Sequence, residues 1–173
     1  MHLRTLTDLY RHMEWADALL WSSIADAPAA GADGKVRATL YHVHLVQHAF
    51  LRTWRGEKME APFPTFEQLS GLMTWAKSFH QHAAVHMARL EAEQLAKPMP
   101  LAWSAQVESA IGRAPGMTTV GDTVLQVALH SIHHRGQLNV RLRELGATPP
   151  LLDYIGWVWY GRPVAEWRTS IGD

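Results

Sequence analysis

The chain has 173 residues, 16 basic and 16 acidic side chains, a formal net charge of zero and no cysteine. That length suits a single domain, residues 1–173, able to bury its own core. The even charge, with no basic run, gives nucleic acid no footing, and the missing thiols exclude disulfides, thiolate metal sites and a cysteine nucleophile. The opening MHLRTLTDLYRHMEW scatters charge through what a signal peptide or membrane span would keep apolar. No later apolar run approaches membrane length, so the expectation is a cytoplasmic protein with no membrane partner.

Four stretches carry helical periodicity. The first covers about residues 5–27, with Leu6, Leu9, Met13, Ala16 and Leu20 on one stripe and Thr5 and Asp8 as a weak cap. Pro28 and the AAGADG stretch should end it. The second covers about residues 36–55, with Gly56 suited to its C-terminal cap. After a Pro62–Pro64 turn, the third covers about residues 66–96, with Leu69, Met73, Ala76, Phe79, Ala83, Met87 and Leu90 on one stripe. Lys97-Pro98-Met99-Pro100 stops it. Residues 101–117 read as a loop with room for a short hairpin. The fourth helix covers about residues 120–145, with Thr119 as N-cap, Asp122 reaching back and Gly146 as the stop. DYIGWVWYG reads as a short fifth helix. The fold class expected is all-α, a four-helix bundle with a short extra C-terminal helix, its long connections leaving up-down-down-up and up-down-up-down orders open.

The eleven histidines invite a search for ligands. On the second helix, Val43, Leu45, Val46, Ala49, Phe50 and Trp54 define an apolar arc that contains His42. His44 and His48 fall on the other side, with Gln47 and Arg52. The fourth helix is apolar almost all round, as a buried helix is. Its one polar ribbon is Gln126, His130, His133, His134, Gln137 and Arg141. An i,i+4 histidine pair is often just a solvated face, and a lone core histidine is often only hydrogen-bonded. Together, His42, His130 and His134 can hold one ion. Three neutral imidazoles suit Zn, Ni, Co, Cu or Fe(II) rather than Ca or Mg. His82 and His86 lie off the stripe of the third helix and read as surface groups, with His80 as a fourth-ligand candidate. Gln137 and Arg141 are candidates for orienting the ligands. His133 is structural or catalytic, and Arg135 and Asp153 fix the helix end and the following turn. There is no HExxH, no Glu-x-x-His pair and no Gly-rich phosphate loop. No general base stands out, so the catalytic residues are left unknown.

Three segments, LYRHMEWADALL, TLYHVHLVQHAFLRTWRGE and HSIHHRGQLNVRLRELGATPPLLDYI, resemble the DinB-type, YfiT-like metalloprotein superfamily of damage-inducible bundle proteins. The third is the most specific, with H-x-x-H-H-R-G-Q followed by a Leu-Gly turn, prolines and an Asp. The resemblance implies a divalent metal held by one histidine of the second helix and two of the later one, here His42, His130 and His134. The resemblance also implies activities such as those of thiol-cofactor-dependent transferases and isomerases. The function expected is a metal-dependent enzyme, a thiol-cofactor-dependent transferase or a hydrolase, with a non-catalytic metal-binding stress-response or ligand-binding protein as the alternative. The cofactor expected is a divalent transition metal, Zn or Ni ahead of Fe, Co or Mn, with an external low-molecular-weight thiol and a small-molecule substrate as partners. Eight tryptophans, including Trp157, Trp159 and Trp167, exceed what a small core needs and point to a homodimer.

Overall fold

The structure, a computed structural model, describes residues 2–59 and 61–171. Four long helices carry it: α1 (Leu3–Ala25), α3 (Gly34–Trp54), α4 (Leu69–Arg89) and α6 (Val120–Glu144). Three short ones, α2 (Pro28–Ala32), α5 (Glu108–Ile111) and α7 (Tyr154–Trp159), lie in the connections and near the C-terminus. Among the described residues there is no strand, only an isolated antiparallel bridge between Pro98 and Thr119. No helix among them is long and apolar enough to cross a membrane.

The helix ends follow local chemistry, with some surprises. Thr119 and Asp122 form the expected reciprocal capping box on α6. Gly56 and Gly146 take the left-handed conformation just past α3 and α6, at φ 66° and 77°. The start of α1 departs from expectation: neither Thr5 nor Asp8 caps it, because the helix begins two residues earlier, after His2. Helix α1 ends at Ala25, just before Pro28 as expected, but Pro28 also starts a helix, its ring occupying the first turn of α2 where no N–H is needed. The third helix stops at Arg89, where Leu90 turns extended. A separately capped 3-10 turn, Ala92–Ala96, then carries Leu95 into the core. Residues 101–117 form short helical turns, not a hairpin. Their stem is closed by Met99 N–H to the Thr118 carbonyl (2.8 Å) and Val120 N–H to the Lys97 carbonyl (2.9 Å).

The core divides into two main apolar clusters, and their membership fixes the helix directions. One joins Leu6, Tyr10 and Met13 from the start of α1 to Phe50 and Leu51 from the end of α3, Phe79, Ala83 and Met87 from the later half of α4, and Val120 and Val124 from the start of α6. The other joins the opposite halves of the same helices, among them Trp21, Leu40, Leu72 and Leu142. So α1 and α6 run one way and α3 and α4 the other, an up-down-down-up bundle. Helix α6 packs against α1 and α3, and α4 closes the ring by packing against both of those. The parallel pair α3–α4 needs a connection that travels the bundle's length. Residues 55–68 can extend to roughly 46 Å, ample for a 21-residue helix of roughly 31 Å.

Between the two clusters lies a buried polar network. Asp17 on α1, about 2 % exposed, receives the Arg135 guanidinium from α6 at 2.8 Å and the His80 Nε2–H from α4 at 2.9 Å. It also accepts from the Gln47 amide of α3 at 3.1 Å, and the same amide donates to Ser131 Oγ at 3.1 Å. His44 gives its Nδ1–H to Gln47 Oε1 at 2.8 Å and accepts the Trp21 indole N–H at Nε2 at 3.1 Å. Burial alone would raise the Asp17 pKa. The Arg135 charge, and then the His80 hydrogen bond, hold it well below the ordinary carboxylate range instead. Arg135 therefore does not fix the helix end, as the sequence suggested, but neutralises a core carboxylate. Asp153 starts α7 through its backbone, with no side-chain cap.

This network also overturns the face assigned to the second helix. The buried side of α3 is Val36, Leu40, Val43, His44, Gln47, Phe50 and Leu51. His44 and Gln47 are core residues because each satisfies the other, whereas His42 is exposed. His48 is not a free surface group either. It stacks on Trp75, with ring centroids 4.2 Å apart, and donates to the Trp75 carbonyl. Nor is α6 buried all round, since Leu129, Ile132 and Val140 are exposed.

Candidate metal centre

The seam where α3 meets its antiparallel neighbour α6 is pinned at three levels. At one end the Trp54 indole donates to Thr123 Oγ1 at 3.0 Å. In the middle Gln47 bonds Ser131. At the other end Arg141 grips Asp33, the N-cap of α3, with Nη2 to Oδ2 at 2.6 Å and Nε to Oδ1 at 3.2 Å. Asp33 responds with a pKa drawn down to about 2, chiefly by Arg141 and then by the Val36 N–H. Arg141 thus sets register and does not touch the histidines, contrary to the role suggested for it.

Between those pins, on the outer side of the seam, His42 from α3 meets His130 and His134 from α6. His42 Nε2 and His134 Nε2 each lie 3.1 Å from His130 Nε2. One ring nitrogen from each of the three falls within 4.8 Å of the others. The i,i+4 spacing on α6 puts His130 and His134 on one face, with ring centroids 4.3 Å apart, and His42 closes the triangle at 5.0 and 4.7 Å. Two imidazole nitrogens bound tetrahedrally to one ion at about 2.05 Å would stand roughly 3.3–3.4 Å apart, close to the spacing seen.

Protons cannot satisfy this arrangement. The Gln137 side-chain oxygen accepts from His134 Nδ1 at 2.7 Å, which leaves a lone pair at His134 Nε2. A single proton on His130 Nε2 can form one two-centre bond, to His134 or to His42, but not both. A cation at the centre would satisfy all three lone pairs. Two of the rings, His42 and His130, are also biased toward the neutral form. Partial burial, and then His134, lower the His42 pKa. Burial, followed by His134, His42 and His133, pushes His130 down to about 4. The residues present therefore fit a divalent transition metal.

The neighbouring groups divide clearly. Gln137 orients His134 and donates its amide to His133 Nε2 at 3.0 Å, so His133 positions Gln137 from the exposed side. That is the outer hydrogen bond a ligating histidine usually has. His130 Nδ1 is buried without a hydrogen-bond partner among the described residues. His80, the fourth-ligand candidate, is committed to Asp17 and stands in the polar core. His82 is exposed, and His86 stacks on Trp54. Sequence reasoning found the three clustered residues but missed Gln47 and Ser131, which hold the seam from inside. Only Asp17, a carboxylate within the apolar stripe of the first helix, hinted at a polar core.

A helical bundle carrying a three-histidine cluster across one helix seam describes a class of potential metal-binding proteins. A family model described as DinB family matches residues 1–168. The chain belongs to the DinB family. No curated protein matches the chain.

Proposed function

We propose that the chain binds one divalent transition metal through Nε2 of His42, His130 and His134 and serves as a metal-dependent enzyme acting on a small molecule. The observation that carries this reading is the convergence of three histidines from two helices, with the Nε2 atoms of His42 and His134 each 3.1 Å from that of His130. When bound, such an ion supplies Lewis acidity at a position left open by three protein ligands. The chain's own part is positional. Gln137 fixes the His134 tautomer, the Asp33–Arg141 and Gln47–Ser131 contacts hold α3 and α6 in register, and partial burial favours the neutral form of His42 and His130. The reaction class we favour is transfer to or from an external thiol, or hydrolysis, since the chain has no thiol of its own. Zn and Ni are the metals we favour, imidazole being a usual ligand for both.

The test begins with elemental analysis of protein loaded with Zn or Ni and then desalted, for which about one equivalent per chain is expected. Loaded protein is next screened for conjugation of electrophiles with low-molecular-weight thiols and for ester hydrolysis. Turnover that vanishes with a chelator supports the enzyme. Full metal occupancy without turnover supports a non-catalytic metal-binding protein. A chain that stays metal-free refutes both.

A further inference from the structure

Beside the histidine cluster, toward the start of α6, the α3–α6 seam opens into a cleft of about 430 Å³. His130 belongs to its wall, so the cleft and the cluster share a side chain. Val46, Phe50 and Trp103 supply apolar surface, and Asp122 and Gln126 are exposed lining groups. Phe50 and Trp103 meet edge to face, with centroids 5.2 Å apart and planes at 90°. Among the described residues, no lysine or arginine lines the cleft, and Asp122 is its one carboxylate. The Thr118 and Thr123 hydroxyls there already donate to the Met99 and Val120 carbonyls.

We propose that this cleft sets the ligand class of the site. It takes a planar, apolar tail without negative charge along Trp103 and Phe50, while a metal-binding head reaches the ion at His130. The proposal rests on the metal reading above. An aromatic tail would gain stacking against two rings already in place. An anionic tail would lose hydration against apolar walls, find no cationic partner and approach Asp122. The size and mostly apolar lining suit a small molecule.

The experiment uses cobalt-loaded full-length chain and two thiols, 4-fluorobenzyl mercaptan and 4-(mercaptomethyl)benzoate. They share a head and a ring and differ at the far end. The thiolate–cobalt absorption band gives each affinity, and the cobalt spectrum alone gives loading. The fluorobenzyl thiol should bind roughly tenfold more tightly. Trp103→Ala should weaken the fluorobenzyl thiol and shrink the gap. Gln126→Lys, at an exposed position, should draw the carboxylate probe toward parity without disturbing the core. Equal affinities in the wild type, or a gap unmoved by both variants, would overturn the proposal. If cobalt does not bind at all, the metal reading fails by itself. The cleft is then read in metal-free protein by fluorine NMR. Broadening of the fluorobenzyl signal that is lost in Trp103→Ala sustains it, and no broadening in the wild type overturns it.

Discussion

His42 and His44 stand two residues apart on α3, and a turn of about 100° per residue sends them to nearly opposite sides of the helix. His42 reaches the outer seam and His44 the polar core. His42→Ala should abolish metal retention, read by elemental analysis, while leaving the metal-free melting curve almost unchanged. His44→Ala should retain the metal but lose about 2–4 kcal/mol in urea melts, because it opens a cavity and strands the Trp21 N–H and the Gln47 oxygen. Metal loss from His44→Ala in protein that is still folded would contradict the assignment. Burial also fixes a pH dependence. It pushes the His44 and His48 rings down to about 4. Unfolded, each returns to about 6.5. The unfolded chain therefore binds more protons between those values, and stability present above pH ~6.5 is lost as pH falls toward 4. His44, wholly buried, accounts for about 3 kcal/mol of that loss. Urea midpoints of metal-free protein from pH 7 to 4 check it, and a flat profile would mean that the rings are not held neutral.

At the scale of the helix, most boundaries were legible because they rest on single residues with a backbone job. Thr119 and Asp122 satisfy the first N–H groups of α6, and Gly56 and Gly146 adopt a conformation that costs other residues more. Thr119→Ala should lower stability by about 1 kcal/mol in thermal melts, and a variant as stable as the wild type would show that Asp122 suffices alone. The faces were less legible. Hydropathy placed Gln47 and His44 outside, and rotating α3 to suit brought His42 inward. The true face is set by polar side chains that bond one another across four helices, which no single-helix pattern encodes. The three clustered histidines were nevertheless chosen, through the i,i+4 spacing of His130 and His134 and the family resemblance. The arc argument reached His42 on mistaken grounds, since that residue is exposed at a seam.

Across the whole molecule, the Asp17–Arg135 pair binds α1 to α6 where the two apolar clusters meet. Removing one partner should be severe: Asp17→Leu or Arg135→Met alone costs about 3–5 kcal/mol, since each leaves a buried charge unmatched. The double variant should recover much of that loss in urea melts, and a strictly additive double would show that the two are not coupled. The tryptophans bear differently on assembly than their number suggested. Trp157 is buried and Trp167 half-buried, so of the three cited only Trp159 stands exposed, at 78 %. With Leu129, Ile132 and Val140 also exposed on α6, we still expect a homodimer. Light scattering at micromolar concentration tests it, and a single-chain mass would count against it.

His42 and His130 lie 88 positions apart along the chain, although their nitrogens nearly touch. An unfolded chain could offer His130 and His134 as a local pair, but recruiting His42 would mean closing that loop, at roughly 4 kcal/mol of chain entropy. An ion gripping all three rings would then act as a reversible staple between α3 and α6, tight in the native state and weak in the denatured one. Separating this seam during unfolding would require first releasing the ion or a ring. Loading should therefore slow unfolding more than it speeds folding, and the protein's lifetime at high temperature would follow how fast the metal leaves.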